Sequence, residues 1–227
     1  MLSADAIVAL HDRLTRDWHQ APGDGGEAAC AGAEAGAASS SSRAANGAAG
    51  EAAANWLAAV ARQHRPNFDL WHIEDEARAP GATDAEVAAV KRRVDLTNQR
   101  RSDLAEELDR ALLAWLATQG LPNPAAELNS ESPGLVIDRL SILALKIYHT
   151  REETERGDAP AGHAERNRER LAILEEQRAD LVGCLDGLWR QTLAGTRRFK
   201  LYRQLKMYND PSLNPAIYRK NRAESSR

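Results

Sequence analysis

The stretch GLVIDRLSILALKIYHTREETER, Gly134 to Arg156, constrains the fold more than any other part of the chain. Ser132-Pro133 before it is a strong helix start: Ser caps, and Pro suits the first helical position because its missing N–H has no partner there anyway. Leu135, Val136, Ile137, Leu140, Ile142, Leu143, Leu145, Ile147 and Tyr148 then cover almost every side of the helix. A helix that is apolar all round has to be surrounded by neighbours. With aromatics at only 5% and alanine abundant, those neighbours are expected to be helices rather than sheets. The expected fold is therefore all-α, a single helical bundle of about six or seven helices with a flexible low-complexity insert.

Taken in order, residues 1–20 form a first helix, capped by Ser3 and carrying Ile7, Leu10, Leu14 and Trp18 at helical spacing. Residues 21–50 are rich in Ala, Gly and Ser and contain almost nothing large to bury, so they are read as a flexible insert. The bundle body is placed at 51–218 and a basic tail at 219–227. Within the body a helix is expected over Ala52–His64 and is ended by Pro66. A short helix follows Asn67, and Pro80-Gly81 breaks the chain again. Thr83 and Glu86 make a capping box for the longest helix, expected to reach Gln119 and stop at Gly120. After the helix that starts at Pro133, another long one covers roughly His163 to Ala194. The stretch Arg197–Tyr208 reads as a short basic-aromatic helix, with Phe199, Tyr202 and Leu205 packed on the body and its charges in water.

A formal net charge of -3 and a pI near 6.1 argue against a general nucleic-acid or membrane-surface binder. No run approaches the roughly 18 uncharged apolar residues of a membrane span. Cys30 and Cys184 are far apart and in unlike contexts, so neither a disulfide framework nor a thiolate metal knot is expected, and a cytoplasmic location is the simplest reading. Nucleophile elbows and phosphate-cradling glycine loops are absent.

Polar residues that interrupt apolar faces are the site candidates. In the long helix Val87, Val94, Leu108 and Trp115 fall on one seven-spaced row, with Val90, Leu104 and Ala111 beside it. Thr97, Asn98 and Arg101 break the row at its middle. An unpaired buried guanidinium would cost several kcal/mol, so Arg101 must meet a carboxylate such as Asp138 or Glu74, or an anionic ligand. The ligand-binding candidates are His72, Glu74, Arg78, Asn98, Arg101, Asp138, Arg139 and Lys146. A second set, His72, Asp75, Glu106 and Asp109, is the candidate metal set, with Mg or Mn as the cofactor of a metal-dependent hydrolase. It rests on His72-x-x-Asp75 and on Glu106-x-x-Asp109, the latter resembling half of the magnesium motif of helical nucleoside-triphosphate pyrophosphohydrolases.

The phrases NFDLWHIEDEAR, VKRRVDLTNQRRSDLAEELD, SPGLVIDRLSILALKIYHTREE and FKLYRQLKMYNDPSLNP are long and unusual. Through them the chain resembles a bacterial family catalogued as domain-of-unknown-function family 4254, over roughly Asn67 to Pro215 and the Trp18-His19 end of the first helix. The resemblance implies an all-helical domain and a link to cell-surface glycan assembly. The functional expectation is a binding or accessory protein for a small anionic ligand or a protein partner. The alternatives are a metal-dependent hydrolase of a phosphorylated or nucleotide substrate, and a structural protein whose buried charges are only ion pairs.

Overall fold

The computed structural model describes residues 2–21, 43–207, 210 and 212–215. Most of the insert and the basic tail expected from sequence lie outside the described residues. Among those described there are five helices rather than six or seven: α1 (Ala4–Gln20), α2 (Arg43–Glu76), α3 (Asp84–Ala117), α4 (Pro133–Glu155) and α5 (His163–Leu193). Two two-residue strands, β1 (Glu127–Leu128) and β2 (Arg197–Arg198), pair in parallel, with Glu127 opposite Arg197. No described helix is long and apolar enough to cross a membrane.

The helix count falls because α2 absorbs two expected helices and the end of the insert. Pro66 sits inside α2 without ending it, and Arg43 to Gly50 already belong to the helix. An interior Pro loses a hydrogen bond and crowds the preceding turn, at a cost near 3 kcal/mol. Burial of Trp56, Val60, His64, Phe68 and Ile73 along one continuous face offsets that cost, because a break at Pro66 would strip half of the face from its neighbours.

α3 starts where the sequence places it. Thr83 accepts from the Glu86 backbone N–H and the Glu86 side chain accepts from the Thr83 N–H, a complete capping box. α4 is central, as its composition demands: it touches each of the other four helices. Its start is fixed from outside by Asp109 of α3, whose carboxylate accepts from the Ser132 hydroxyl and, at 2.7 Å, from the Gly134 N–H. Gly134 lies where α3 crosses so closely that an added Cβ would meet the Ala105 carbonyl and stand 2.9 Å from the Asp109 carboxylate. The main core joins Ile7, Leu10, Val60, Leu108, Leu112, Ile137, Leu140, Leu185 and Trp189.

The C-terminal stretch departs from expectation. Beyond β2 the chain is extended rather than helical up to Lys206, and Phe199 alone of the three expected anchors is buried. Tyr202 and Leu205 are exposed. Strand pairing holds Arg197 and Arg198 in extended backbone, so the helical spacing of Phe199, Tyr202 and Leu205 has no helix to act through.

Candidate functional site

Three helices contribute polar residues to one seam. On α1 His11, Thr15, Trp18 and His19 share a face; on α2 Gln63, His64, Asn67, Phe68, Trp71 and His72 do; on α4 Asp138, Ser141, Tyr148, His149 and Glu152 do. The seam divides into three parts.

The deepest part is closed around His64. One of its ring nitrogens meets Thr15 Oγ1 at 2.9 Å and the other meets Ser141 Oγ at 2.7 Å. Asn67 donates to Ser141 and to Asp138, and Gln63 donates to the same Asp138 oxygen. His11 stacks on His64 with ring centroids 4.5 Å apart, but neither of its own nitrogens has a hydrogen-bond partner. Burial drives the pKa of His64 down to about 3 and that of His11 well below its ordinary value, so both rings are neutral at physiological pH.

Asp138 links this closed part to a cleft. Arg101 donates to it through Nε at 3.0 Å and Nη2 at 2.7 Å, and through Nη1 to Asn98 at 3.3 Å. The ion pair expected from the broken apolar row is therefore present, with Asp138 as the partner. Glu74 instead pairs with Arg78 at 2.8 Å on the surface. Asn67, Leu70, Trp71, Glu74, Asp75, Arg78, Asn98 and Arg101 line a cleft of about 430 Å³ between α2, α3 and α4. Beside Asn98, the Lys206 ammonium donates to the Asn98 carbonyl at 2.5 Å. Partial burial and then the nearby Arg101 charge hold its pKa below the usual lysine value.

The third part gathers His19, His72 and His149, one from each of α1, α2 and α4. One ring nitrogen of each lies within 4.8 Å of the other two. The Nδ1 atoms are engaged elsewhere: His19 with the Thr15 carbonyl at 2.6 Å, His72 with the Phe68 carbonyl at 2.9 Å, and His149 with the Glu152 carboxylate at 2.9 Å. Rings hold rings in place, with Tyr148 stacked on His19 and Trp71 stacked on His149 at an interplanar angle of 7°. Burial lowers the pKa of His149, against the opposite pull of Glu152.

Of the candidates named from sequence, Glu74, Arg78, Asn98 and Arg101 share the cleft, and Asp138 supports Arg101 from behind. Arg139 and Lys146 do not join them. They line a separate cleft between α4 and α5, where Arg139 pairs with Glu131 at 2.9 Å. The metal set is not brought together. Asp109 is the cap of α4, Glu106 accepts from the Gln204 N–H and from Arg110, and Asp75 lines the cleft. Only His72 of that set belongs to a converging group of ligand-type side chains among the described residues.

The residues missed were His19 and His149. A usable signal existed: His11 and His19 are eight residues apart on α1, as are His64 and His72 on α2. Eight residues return a side chain to nearly the same face of a helix. The pairs His72-x-x-Asp75 and His149-x-x-Glu152 each lie within one helix, whereas the three histidines come together from three helices.

A family model described as a protein of unknown function (DUF4254) matches residues 57–201, and the chain belongs to that family. No curated protein and no solved structure matches it.

Proposed function

We propose that this protein is a ligand-binding domain that takes a small anionic molecule in the cleft between α2, α3 and α4. The observation that supports this most is the setting of Arg101 in the cleft wall. Asp138 fixes the plane of its guanidinium, yet among the described residues only three of its five N–H groups are engaged, one each on Nε, Nη1 and Nη2. A guanidinium oriented from behind, with two N–H groups left over, suits a carboxylate or phosphate. Asn98 and Arg78 add donors beside it, and Leu70, Trp71, Ile142 and Leu145 supply an apolar wall for the body of the ligand.

Calorimetric titration with inorganic phosphate, pyrophosphate and citrate tests this reading. At least one anion binds the wild-type chain, and Arg101→Lys weakens it roughly tenfold or more, because an ammonium keeps the charge for Asp138 but loses the fork. If no anion binds, or if Arg101→Lys binds as wild type does, the pair with Asp138 is purely structural. The alternative of a magnesium-dependent hydrolase finds less support, since Glu106 and Asp109 are engaged outside the cleft and only Asp75 of that carboxylate set lines it.

A further inference from the structure

We infer that His19, His72 and His149 form a binding site for one divalent transition-metal ion, coordinated through their three Nε2 atoms. This goes beyond the anion cleft and does not depend on it.

The tautomers carry the argument. The Thr15 and Phe68 carbonyls and the Glu152 carboxylate only accept hydrogen bonds, so each Nδ1 that meets them carries the proton. Each neutral imidazole then has its lone pair on Nε2. The Nε2 atoms of His19 and His149 are buried and have no hydrogen-bond partner among the described residues. Three acceptor lone pairs gathered in one place, with no donor among them, repel one another, and those of His19 and His149 are unsatisfied among the described residues. A cation resolves both problems at once.

The surroundings match what a metal-ligating imidazole needs. Ligating histidines characteristically pass their other N–H to a backbone carbonyl or carboxylate, which sets the tautomer and ring orientation. All three do so here. Tyr148 on His19, Trp71 on His149, and Phe68 against both His19 and His72 restrict ring rotation further. Tetrahedral zinc with Zn–N bonds of about 2.0–2.1 Å brings its nitrogens to roughly 3.3 Å from one another. The present separation is within 4.8 Å, so a bound ion would draw the nitrogens together by up to about 1.5 Å.

The donor set also selects the ion. Three neutral nitrogens suit zinc, cobalt, nickel or copper and offer magnesium or calcium none of the oxygen they prefer. Three protein ligands leave a fourth position for water or an exogenous donor, the pattern of a reactive rather than a closed site.

The test uses the full chain, treated with a chelator and then titrated with Zn²⁺ by calorimetry near neutral pH. The expected stoichiometry is about one ion per chain, with saturating zinc raising Tm by roughly 5 °C. His72→Phe and His149→Phe keep the ring packing and remove a ligand, and each is expected to weaken zinc at least about 100-fold. His163→Gln, which alters a histidine paired with Glu153 at the start of α5, leaves zinc affinity unchanged. Cobalt in place of zinc gives the intense visible absorption of a tetrahedral site. Because His72→Phe also removes the hydrogen bond to the Phe68 carbonyl, its circular dichroism and unliganded Tm are read alongside; a folded variant that no longer binds supports the site. No stoichiometric zinc binding overturns the proposal, as does zinc binding that both Phe variants retain.

Discussion

The surroundings of His64 and the three-histidine cluster use the same residue type, on the same three helices, to opposite ends. Around His64 both ring nitrogens meet hydroxyls, and one of these, Ser141, connects through Asn67 to Asp138 and Arg101. Each member's loss would strand another, so the network works as a fold determinant. At His19, His72 and His149 every ring has one nitrogen satisfied by its own helix and the other turned toward its companions. Satisfaction within a helix orients a ring without connecting it to the rest of the core. Polar residues in the seam are therefore distinguished by where their second hydrogen bond goes.

That comparison fixes the order of mutational effects. Asp138→Ala should be the most damaging change, since it leaves Arg101, Gln63 and Asn67 without their shared acceptor. A loss of about 3–5 kcal/mol in urea unfolding is expected, and a loss below 1 kcal/mol would mean the closed network is not a fold determinant. Gly134→Ala follows at about 3 kcal/mol, because the new methyl meets backbone of α3 rather than a side chain that can yield.

Acid should act on the closed part next. The folded-state pKa values of His64 and His11 lie below the unfolded value near 6.5, so the unfolded chain binds more protons. The His64 contribution is complete above pH 6.5 and is lost as pH falls toward 3, at about 1.4 kcal/mol per pH unit, and His11 acts in the same direction. Asp109 opposes this. Burial raises its pKa to about 6, so its protonation favours the folded chain as pH falls from 6 to 4. Two rings outweigh one carboxylate, and unfolding free energy is expected to drop steadily below pH 6.5. A stability maximum near pH 5 would contradict the buried, neutral state of the two rings.

His11→Phe sharpens the contrast further, with a stabilisation of about 1 kcal/mol by thermal denaturation, because both nitrogens of His11 are buried without partners. Arg78→Ala marks the floor at under about 0.5 kcal/mol, since its pair with Glu74 is exposed.

Legibility in the sequence follows the range of the interactions. Thr83 with Glu86 acts within a few residues and marked the start of α3; Ser132-Pro133 marked the start of α4, although the Ser132 hydroxyl makes no local cap and donates to Asp109 of α3 instead. The all-round apolar character of α4 gave its central place. Arg101 was readable as a buried charge needing a partner, and Asp138 stood among the few carboxylates on a buried helix. Pro66 misled because the force that carries α2 through it is tertiary, supplied by faces of α1, α3 and α4 that no local window contains. The same holds for Tyr202 and Leu205, whose helical spacing is overruled by strand pairing at Arg197–Arg198. The three histidines are 53 and 77 residues apart, so only the stacking of three helices brings them together.

The most direct measurement is a long-range ¹⁵N–¹H spectrum of the histidine imidazoles, recorded without and with Zn²⁺. His19, His72 and His149 are expected as Nδ1–H tautomers whose Nε2 resonances shift on adding zinc, while the resonances of His64 and His11 stay in place. An Nε2–H tautomer at any of the three, or a zinc response at His64 in place of theirs, would contradict the division of the seam into a closed core and a metal site.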